Sequence, residues 1–513
     1  MNRASPGRLL HRKMRSKRPN TGYPFILALL VTLILLTSGC VGEAPTAQPP
    51  LQTPTTEPTP TLPLPAPLPT RPSYLPGELV DYTAQTGDTL PALAARFNTT
   101  LAEIRAANPI IPDSATTMPA GLPMKIPIYY RPLWGSAYQI IPDSLFVNGP
   151  AQRDFDPVAF VDSQPGWLKA YATYINGENR RGGEVVQYVA TNYSVSPRLL
   201  LALAEYQVGA LSNPTAPESR YPLGKNDYRK EGFYRQLAWA ADLLNQGYYD
   251  WRAGKLLSFE HLDGRLERPD PWQNAATVSL QYYFSRTLDG EAYQRAISSV
   301  GLAQTYQSLF GDPWINVEAH IPGSLEQPAM QLPFKPGFAW AFTGGPHNAW
   351  GEEDATRAAI DFAPPSVVGG CTPTEEWATA VASGVIARTG TGIAVLDLDG
   401  DGDERTGWVV FYLHLQIGST PPVGTRLNAG DPIGHPSCDG GKSTGTHIHI
   451  ARKYNGEWML ADSVLAFNLE GWLAHNGAAP YQGTLRRFGQ TVTACECSDN
   501  ASQIQSLAPV AVP

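Results

Sequence analysis

Four short segments in the C-terminal third contain residue types that bind and activate a catalytic metal. His347 follows a Gly/Pro-rich loop, Asp361 lies in an apolar strand-like run, and His414 ends a second such run. His447 and His449 flank a single isoleucine. Residues two apart on a strand share a face and lie about 6.6 Å apart, so one could bind a metal while the other faces substrate. Imidazole suits zinc, and a catalytic zinc keeps three protein ligands plus water.

Residues 333–483 resemble the lysostaphin-type zinc metalloendopeptidases. The matching runs occur in the family's order: Ala382-Ser383-Gly384-Val385, Tyr412-Leu413-His414-Leu415, the glycine-spaced turn 424–434, and Ser443-Thr444-Gly445-Thr446-His447-Ile448-His449. The resemblance implies an antiparallel β-sheet metallopeptidase domain at residues 330–485. It also implies that His449 binds Zn²⁺, that His414 and His447 are catalytic, and that the substrate is a peptide of bacterial peptidoglycan.

The first two metal ligands follow from a subgroup of that family. Most members have a histidine four residues before the aspartate, where this chain has Arg357. Staphylolysin and the beta-lytic proteases instead have Gly-x-His and an aspartate after a loop. Gly345-Pro346-His347 with Asp361, fourteen residues on, resembles that arrangement. The resemblance therefore implies His347 and Asp361 as ligands.

The expected chemistry is metal-assisted hydrolysis. Zinc lowers the pKa of its bound water and polarises the scissile carbonyl. Either His447 or His414 takes the proton while the other stabilises the oxyanion, and the sequence leaves that division open. An alternative is that Arg357 marks a lost ligand and an inactive, regulatory or wall-binding protein.

A small module at residues 80–130 shows strand, helix, helix and strand patterns. It resembles a LysM domain through Gly87-Asp88-Thr89-Leu90, Asn108-Pro109 and Ile126-Pro127. LysM domains bind glycans that contain N-acetylglucosamine, including peptidoglycan. The resemblance implies a groove between the 87–90 turn and the 108–111 loop, with a set of glycan-binding residues: Gly87, Asp88, Thr89, Asn108 and Ile110.

The middle region, residues 140–320, is predicted to be an α-helical domain, because apolar residues recur there at helical spacing. The run 195–205 resembles the entry helix of lysozyme-like lytic transglycosylases, which need a buried glutamic acid. The family's Glu-Ser pair is replaced by Gln207-Val208, so the resemblance implies a degenerate domain. Glycan cleavage through Glu205 remains a second alternative function.

The N-terminus has the pattern of an export signal. Seven basic residues and no acidic one occur in residues 1–39, and all seven precede a short apolar run. Cys40 follows three small residues and resembles a bacterial lipoprotein lipidation site, which implies a lipid anchor in the membrane. Residues 40–79 contain the proline-rich run 44–76, with 12 prolines, and are predicted to form an extended stalk. We therefore expect an extracytoplasmic, cell-envelope protein.

Net charge argues against nucleic acid as a partner. The chain has 38 Lys+Arg against 46 Asp+Glu, and the signal segment holds seven of the basic residues. Nucleic-acid binding depends on phosphate neutralisation by basic residues, and no later basic stripe supplies them.

Two features of the C-terminal third stay open at this stage. The acidic run 397–403 resembles the start of a calcium loop, but Trp408 stands where such a loop needs its twelfth-position glutamate.

Four cysteines remain after Cys40: Cys371, Cys438, Cys495 and Cys497. Four cysteines allow three pairings, of which Cys371 with Cys438 would brace the site loops. Residues 486–513 are predicted to be a tail.

Overall fold

The computed structural model of the protein describes residues 73–129, 131–132, 135–352, 356–366, 368–497 and 499–507. The predicted signal peptide, Cys40 and most of the predicted stalk lie outside these residues. All described residues fall within the unit Leu64–Pro513. Among them, no helix combines the length and apolar character needed to cross a bilayer.

The first folded segment has the expected strand–helix–helix–strand order. Its elements are β1 (Glu78–Thr83), α1 (Leu90–Arg96), α2 (Leu101–Ala107) and β2 (Pro123–Ile128). Thr89 caps α1, and Thr100 with Glu103 forms a capping box at α2. These caps satisfy N–H groups that a helix start leaves without partners. β1 and β2 pair antiparallel, and Phe97 and Ile104 are buried in the core of this segment.

Helices dominate the middle region. They are α3 (Pro157–Ser163), α4 (Gly182–Tyr193), α5 (Pro197–Val208), α6 (Phe233–Arg252), α7 (Ala275–Ser285), α8 (Gly290–Ala296) and α9 (Leu302–Phe310). Two short ribbons interrupt them, one of β3 (Ala172–Ile175) and β4 (Glu178–Arg181), the other of β5 (Phe259–Glu260) and β6 (Leu266–Glu267). α6 and α7 approach closely at Gly247, where a Cβ would lie 2.9 Å from the Cα of Ser279.

The C-terminal region is built of antiparallel strands. They are β7 (Ala339–His347), β8 (Ala359–Ala363), β9 (Ala378–Thr379), β10 (Gly384–Gly390), β11 (Ile393–Asp397), β12 (Trp408–Leu413), β13 (Arg426–Leu427), β14 (Pro432–Gly434), β15 (Ile448–Tyr454), β16 (Glu457–Trp458), β17 (Asn468–Leu469), β18 (Trp472–Asn476), β19 (Gly483–Arg487), β20 (Gln490–Thr493) and β21 (Gln503–Gln505). A nine-stranded sheet has the order β13-β10-β11-β12-β15-β8-β7-β21, with β16 paired to β15. β17 to β20 form a four-stranded sheet, and β14 pairs with β9.

The described part of residues 486–513, which the sequence predicted to be a tail, forms strands instead. β20 extends the four-stranded sheet, and β21 adds an edge strand to the main sheet beside β7. Ile504 is buried there and joins the core of the C-terminal region. The described part of residues 486–513 therefore pairs with the two sheets, and β21 covers the edge that β7 would otherwise expose.

The two faces of the main sheet bury different neighbours. Alternate residues of a strand point to opposite faces. Ile360 and Ile450 join the core of the C-terminal region itself. Ala359, Phe411 and Ala451 join the core of the helical region instead. By the same alternation, residues 361 and 449 lie on the face that the helical region covers.

Candidate metal centre and catalytic cleft

Three neighbouring strands position the proposed metal ligands. Asp361 on β8 stands directly opposite His449 on β15, and both point to the same face. His347 ends β7, whose pairing with β8 shifts register between Gly344 and His347. Gly344 permits this close approach, since a Cβ there would lie 2.3 Å from Oδ2 of Asp361.

Donor atoms of the three side chains converge. Nε2 of His347 lies 2.9 Å from Nδ1 of His449, and Oδ1 of Asp361 lies 3.3 Å and 3.2 Å from those two atoms. Nδ1 of His347 donates to the Gly345 carbonyl at 2.8 Å, and Nε2 of His449 donates to the Ala349 carbonyl at 3.1 Å. A neutral imidazole carries one N–H, so two nitrogen lone pairs and a carboxylate oxygen face one another.

This arrangement fits a divalent cation. The three atoms are close enough for one cation to bridge them with bonds of about 2.0–2.2 Å, and two histidines with a carboxylate suit zinc. Backbone carbonyls fix both ring orientations, as is usual around zinc ligands. Among the described residues, Oδ1 of Asp361 is buried and accepts no hydrogen bond. A bound cation would offset the repulsion between the two nitrogen lone pairs and the carboxylate oxygen.

The electrostatics of the site favour an ionised Asp361 and a neutral His449. Burial acts to raise the pKa of Asp361, but the neighbouring His347 and His447 outweigh it and hold that pKa well below its usual range. Burial lowers the pKa of His449. The carboxylate is therefore ionised and the His449 imidazole neutral near pH 7.

His414 and His447 stand beside this cluster. His414 follows β12 in the left-handed region, at φ 65°, and its Nδ1 donates to the Asp439 carbonyl at 2.8 Å. Nδ1 of His447 donates to the Gly445 carbonyl at 2.8 Å, and its Nε2 lies 3.9 Å from Oδ2 of Asp361. The two ring centroids are 4.5 Å apart. Burial, with His447 and His449 nearby, lowers the pKa of His414 to about 3.

All five histidine and aspartate residues predicted from the sequence thus come together, whereas Arg357 lies outside the cluster. The Arg357 guanidinium donates to the Gly477 carbonyl at 3.4 Å. The alternative interpretation assumed that Arg357 marks a lost metal ligand. In the structure His347 lies beside Asp361 and His449, where that ligand would be.

A cleft of about 1160 Å³ contains the cluster. Tyr481 lies at the wall of this cleft, and the sequence analysis did not predict it. Its ring stacks on His347 with centroids 4.0 Å apart, and its carbonyl accepts the Gly345 N–H at 2.7 Å. Tyr481 is half-exposed. No motif marks it, because a single tyrosine between β18 and β19 has no diagnostic spacing.

One of the two disulfides among the described residues connects two loops at the cleft. Cys371 pairs with Cys438, and Cys495 pairs with Cys497. The first bond joins the loop after β8 to the loop before β15. Thr446 strengthens that connection by donating its hydroxyl to the Thr372 carbonyl at 2.5 Å. Both loops line the cleft.

The acidic run 397–403 lies away from the cleft. Carboxylates of Asp397, Asp399 and Asp401 come within 4.8 Å of one another, and Arg153 pairs with Asp403 at 3.1 Å. Burial raises the pKa of Asp397 to about 6. Trp408 begins β12, so the twelfth position offers no carboxylate. Calcium binding here stays a prediction.

The predicted glycan-binding residues differ in exposure, and their role in glycan binding stays a prediction. Asp88 is buried and accepts hydrogen bonds from Tyr82 at 2.5 Å and Arg96 at 2.8 Å. Asn108 is buried and donates to carbonyls of α2 and β2. These two side chains hold the segment together, because partners inside it already satisfy their polar atoms. Gly87 and Thr89 lie at the turn before α1, and Ile110 is exposed.

Glu205 has a structural role in the helical region. Its carboxylate accepts the N–H groups of Leu211 at 2.7 Å and Ser212 at 3.2 Å, and the Ser212 hydroxyl at 2.5 Å. These bonds order the turn after α5. A carboxylate engaged in this way is poorly suited to protonate a glycosidic oxygen.

Two families match the chain. The family described as "LysM domain" matches residues 82–127. The family described as "LasA, N-terminal domain" matches residues 139–324. The region compared above with lysozyme-like enzymes therefore matches a different family.

Similar proteins include two named peptidases. The chain is 25% identical over 363 residues to Protease LasA of Pseudomonas aeruginosa (strain UCBPP-PA14), covering 67% of this chain and 80% of that protein. It is 29% identical over 166 residues to Beta-lytic metalloendopeptidase of Lysobacter enzymogenes, covering 31% of this chain and 86% of that protein. A solved structure described as the M23 metalloprotease pseudoalterin is 22% identical with a TM-score of 0.28, covering 33% of this chain and 96% of that chain.

Proposed function

We propose that this chain, which is a lysostaphin-type zinc metalloendopeptidase with a LysM domain, hydrolyses peptide bonds of bacterial peptidoglycan. The observation that carries the proposal is the convergence of three lone-pair donors, from His347, Asp361 and His449, within 2.9–3.3 Å of one another. The cleft that contains them, of about 1160 Å³, is in the size range of ligand-binding clefts. The names of the relatives, a protease and a beta-lytic metalloendopeptidase, support the same chemistry.

In this proposal His347, Asp361 and His449 hold the zinc. When bound, zinc polarises the scissile carbonyl and lowers the pKa of its water. His347 and His449 keep their ligand nitrogens unprotonated by donating their other ring N–H to Gly345 and Ala349. The carbonyl of Ala349 is therefore a positioning group for His449.

His414 and His447 move the proton. Each donates its Nδ1–H to a backbone carbonyl, which leaves Nε2 as the nitrogen that faces the reacting groups. One Nε2 accepts the proton of the attacking water, and the other, once protonated, hydrogen-bonds the oxygen on which charge develops. Both assignments of the two roles are compatible with this geometry.

The remaining parts would bring the peptidase to its substrate. The LysM domain supports an extracytoplasmic location and binding to N-acetylglucosamine-containing glycan. We further propose that residues 1–39 are a signal, that Cys40 carries lipid in the membrane, and that residues 40–79 act as a stalk. The domain limits that complete this proposal are 80–130, 140–320 and 330–485, with the last extended through β21.

Digestion of purified peptidoglycan by the full chain tests the proposal. We expect new free amino groups without new reducing ends, and no release with a chelator or with His447→Ala. Glu205→Gln is the matched control and should remain active, because Glu205 lies outside the cleft. New reducing ends that resist the chelator would contradict peptide hydrolysis. Bound zinc without any release would favour the inactive, regulatory alternative.

A further inference from the structure

The chain that follows β7 leads from the candidate metal site to the helical region. Residues 348–352 come directly after His347, the last residue of β7. Ala349 is buried in the core of the helical region, and Trp350 packs against that core. The loop 348–352 therefore contacts both the metal site and the helical region.

The Ala349 carbonyl connects this loop with a proposed metal ligand. It accepts the Nε2–H of His449 at 3.1 Å, which leaves Nδ1 as the lone-pair nitrogen that faces Asp361 at 3.2 Å. This carbonyl belongs to the peptide link between Ala349 and Trp350, so its direction depends on the backbone on both sides. A shift of the loop would therefore turn or release the His449 ring.

The base of the loop is held within the peptidase region. The Ala349 N–H donates to the Thr356 hydroxyl at 3.2 Å, and the Thr356 N–H donates to Oδ1 of Asn348 at 3.1 Å. The Asn348 side-chain amide donates to the Trp350 carbonyl at 2.7 Å. These bonds close the base of the loop. The position of its tip, at residues 351 and 352, depends on other contacts.

Asp242, on α6 of the helical region, holds the tip. Its side chain is buried, and its Oδ2 accepts the Glu352 N–H at 2.8 Å. Gly351 lies against the same carboxylate at φ 103°, where a Cβ would come 2.1 Å from Oδ1. A buried carboxylate needs hydrogen-bond partners, so this pairing favours one position of the tip. Lys230 adds an ion pair to the Glu352 carboxylate at 2.6 Å.

We propose that Asp242 is a positioning residue of the metal site, through which the helical region fixes the loop 348–352, the Ala349 carbonyl and hence the His449 ring. The inference rests on the proposed function in taking His449 as a zinc ligand. Among the described residues, those that line the cleft all lie between positions 339 and 503. Asp242 therefore acts through the loop and not on the substrate.

Three variants change this contact in different ways. Asp242→Leu removes the acceptor at similar side-chain size, whereas Asp242→Asn keeps an oxygen that can accept the Glu352 N–H. Gly351→Ala disturbs the contact from the side of the loop, because its Cβ would displace the Asp242 carboxylate. If Asp242→Leu fails to fold, Gly351→Ala carries the test.

Two control variants leave the contact in place. Asn245→Ala removes a buried hydrogen bond from the same helix, 2.8 Å long and made to the Tyr193 carbonyl within the helical region. It reports the effect of loosening α6 in general. Gly390→Ala is the control for a glycine replacement, because a Cβ there meets only Ile393 at 3.6 Å.

Two measurements on the full chain test the proposal. Competition with a chelating dye gives zinc affinity, and nitrogen-15 shifts of the histidine rings in the metal-free chain show which nitrogen of His449 carries the hydrogen. Wild type, Asp242→Asn and both controls should keep the hydrogen on Nε2 and bind zinc equally. Asp242→Leu and Gly351→Ala should show a mixture of both tautomers and roughly tenfold weaker zinc binding, as for a lost partner outside the ligand shell.

The outcomes separate the inference from the proposed function. Wild-type tautomer and affinity in both Asp242→Leu and Gly351→Ala would overturn the inference and leave the zinc site intact. An equal loss in Asn245→Ala would also overturn it, because general loosening of the helical region would then be the cause. A wild-type chain that binds no zinc would contradict the proposed function. The His449 tautomer in the metal-free variants would still decide whether Asp242 positions that ring.

Discussion

Nε2 of His347 and Nδ1 of His449 lie 2.9 Å apart, and both are lone-pair nitrogens when the rings are neutral and donate their other N–H. The remaining N–H of each ring is committed to a backbone carbonyl, at Gly345 and Ala349. Two lone pairs at that distance repel unless a cation lies between them. This relationship, with Asp361 beside it, makes a metal the simplest occupant of the site.

Gly344→Ala should weaken metal binding while the fold persists. The added Cβ would lie 2.3 Å from Oδ2 of Asp361, so the carboxylate must leave its position opposite His449. We expect zinc affinity to fall at least about tenfold, as for lost positioning of a ligand. Competition with a zinc-binding dye measures it, with Gly390→Ala as control. Equal zinc affinity in Gly344→Ala and Gly390→Ala would show that a Cβ at position 344 does not displace the Asp361 carboxylate.

Tyr481 should support the metal site through its ring. Tyr481→Phe keeps the stacking on His347 at 4.0 Å, whereas Tyr481→Ala removes it. We expect zinc affinity to be unchanged for Phe and about tenfold weaker for Ala. Any loss of kcat in Tyr481→Phe would then report the hydroxyl alone. The prediction is wrong if both variants bind zinc like wild type.

The metal-free protein should lose stability as pH falls. The pKa of His414 is about 3 in the fold, against about 6.5 in an unfolded chain, so the unfolded state binds more protons between these values. This stabilisation is complete above about pH 6.5 and decreases by roughly 1.4 kcal/mol per unit as pH falls towards 3. Urea unfolding of chelated wild type and His414→Gln at pH 7, 6, 5 and 4 tests it. The variant should show a shallower dependence, and parallel curves would contradict the assignment.

The Cys371–Cys438 bond should stabilise the fold and order the cleft. It closes a loop of sequence separation 67, for which loop-closure entropy corresponds to about 4 kcal/mol at most. The double variant Cys371→Ser/Cys438→Ser should therefore unfold at lower urea and show a higher KM, since both loops line the cleft. Removing Cys495 and Cys497 is the comparison, because their bond spans only two residues. Equal effects of the two double variants would argue against loop closure as the cause.

Sequence motifs predicted the residues that converge at the candidate metal site, but not what surrounds them. The His-x-His run, His414 at a strand end and Asp361 on a strand are local patterns, and the sheet places them together. Tyr481 and the Ala349 carbonyl carry no pattern, because only the fold brings them to His347 and His449.

In the LysM domain, too, the sequence predicted the local elements but not the contacts between distant residues. Its element order follows from helix caps and apolar spacing, which are local. The sequence could not show that Asp88 is used by Tyr82 and Arg96, nor that residues 321–325 dock on Thr86 and Thr117. Those contacts depend on the packing of elements that are, for the segment, more than 200 residues apart.

Zinc content of His347→Ala tests the central claim most directly. Wild type and the control His435→Ala, whose ring bonds the Glu376 carbonyl instead, should hold one zinc per chain after exhaustive dialysis. His347→Ala should hold none, with a melting temperature equal to that of chelated wild type. One zinc per chain in His347→Ala would contradict the ligand assignment and the site built on it.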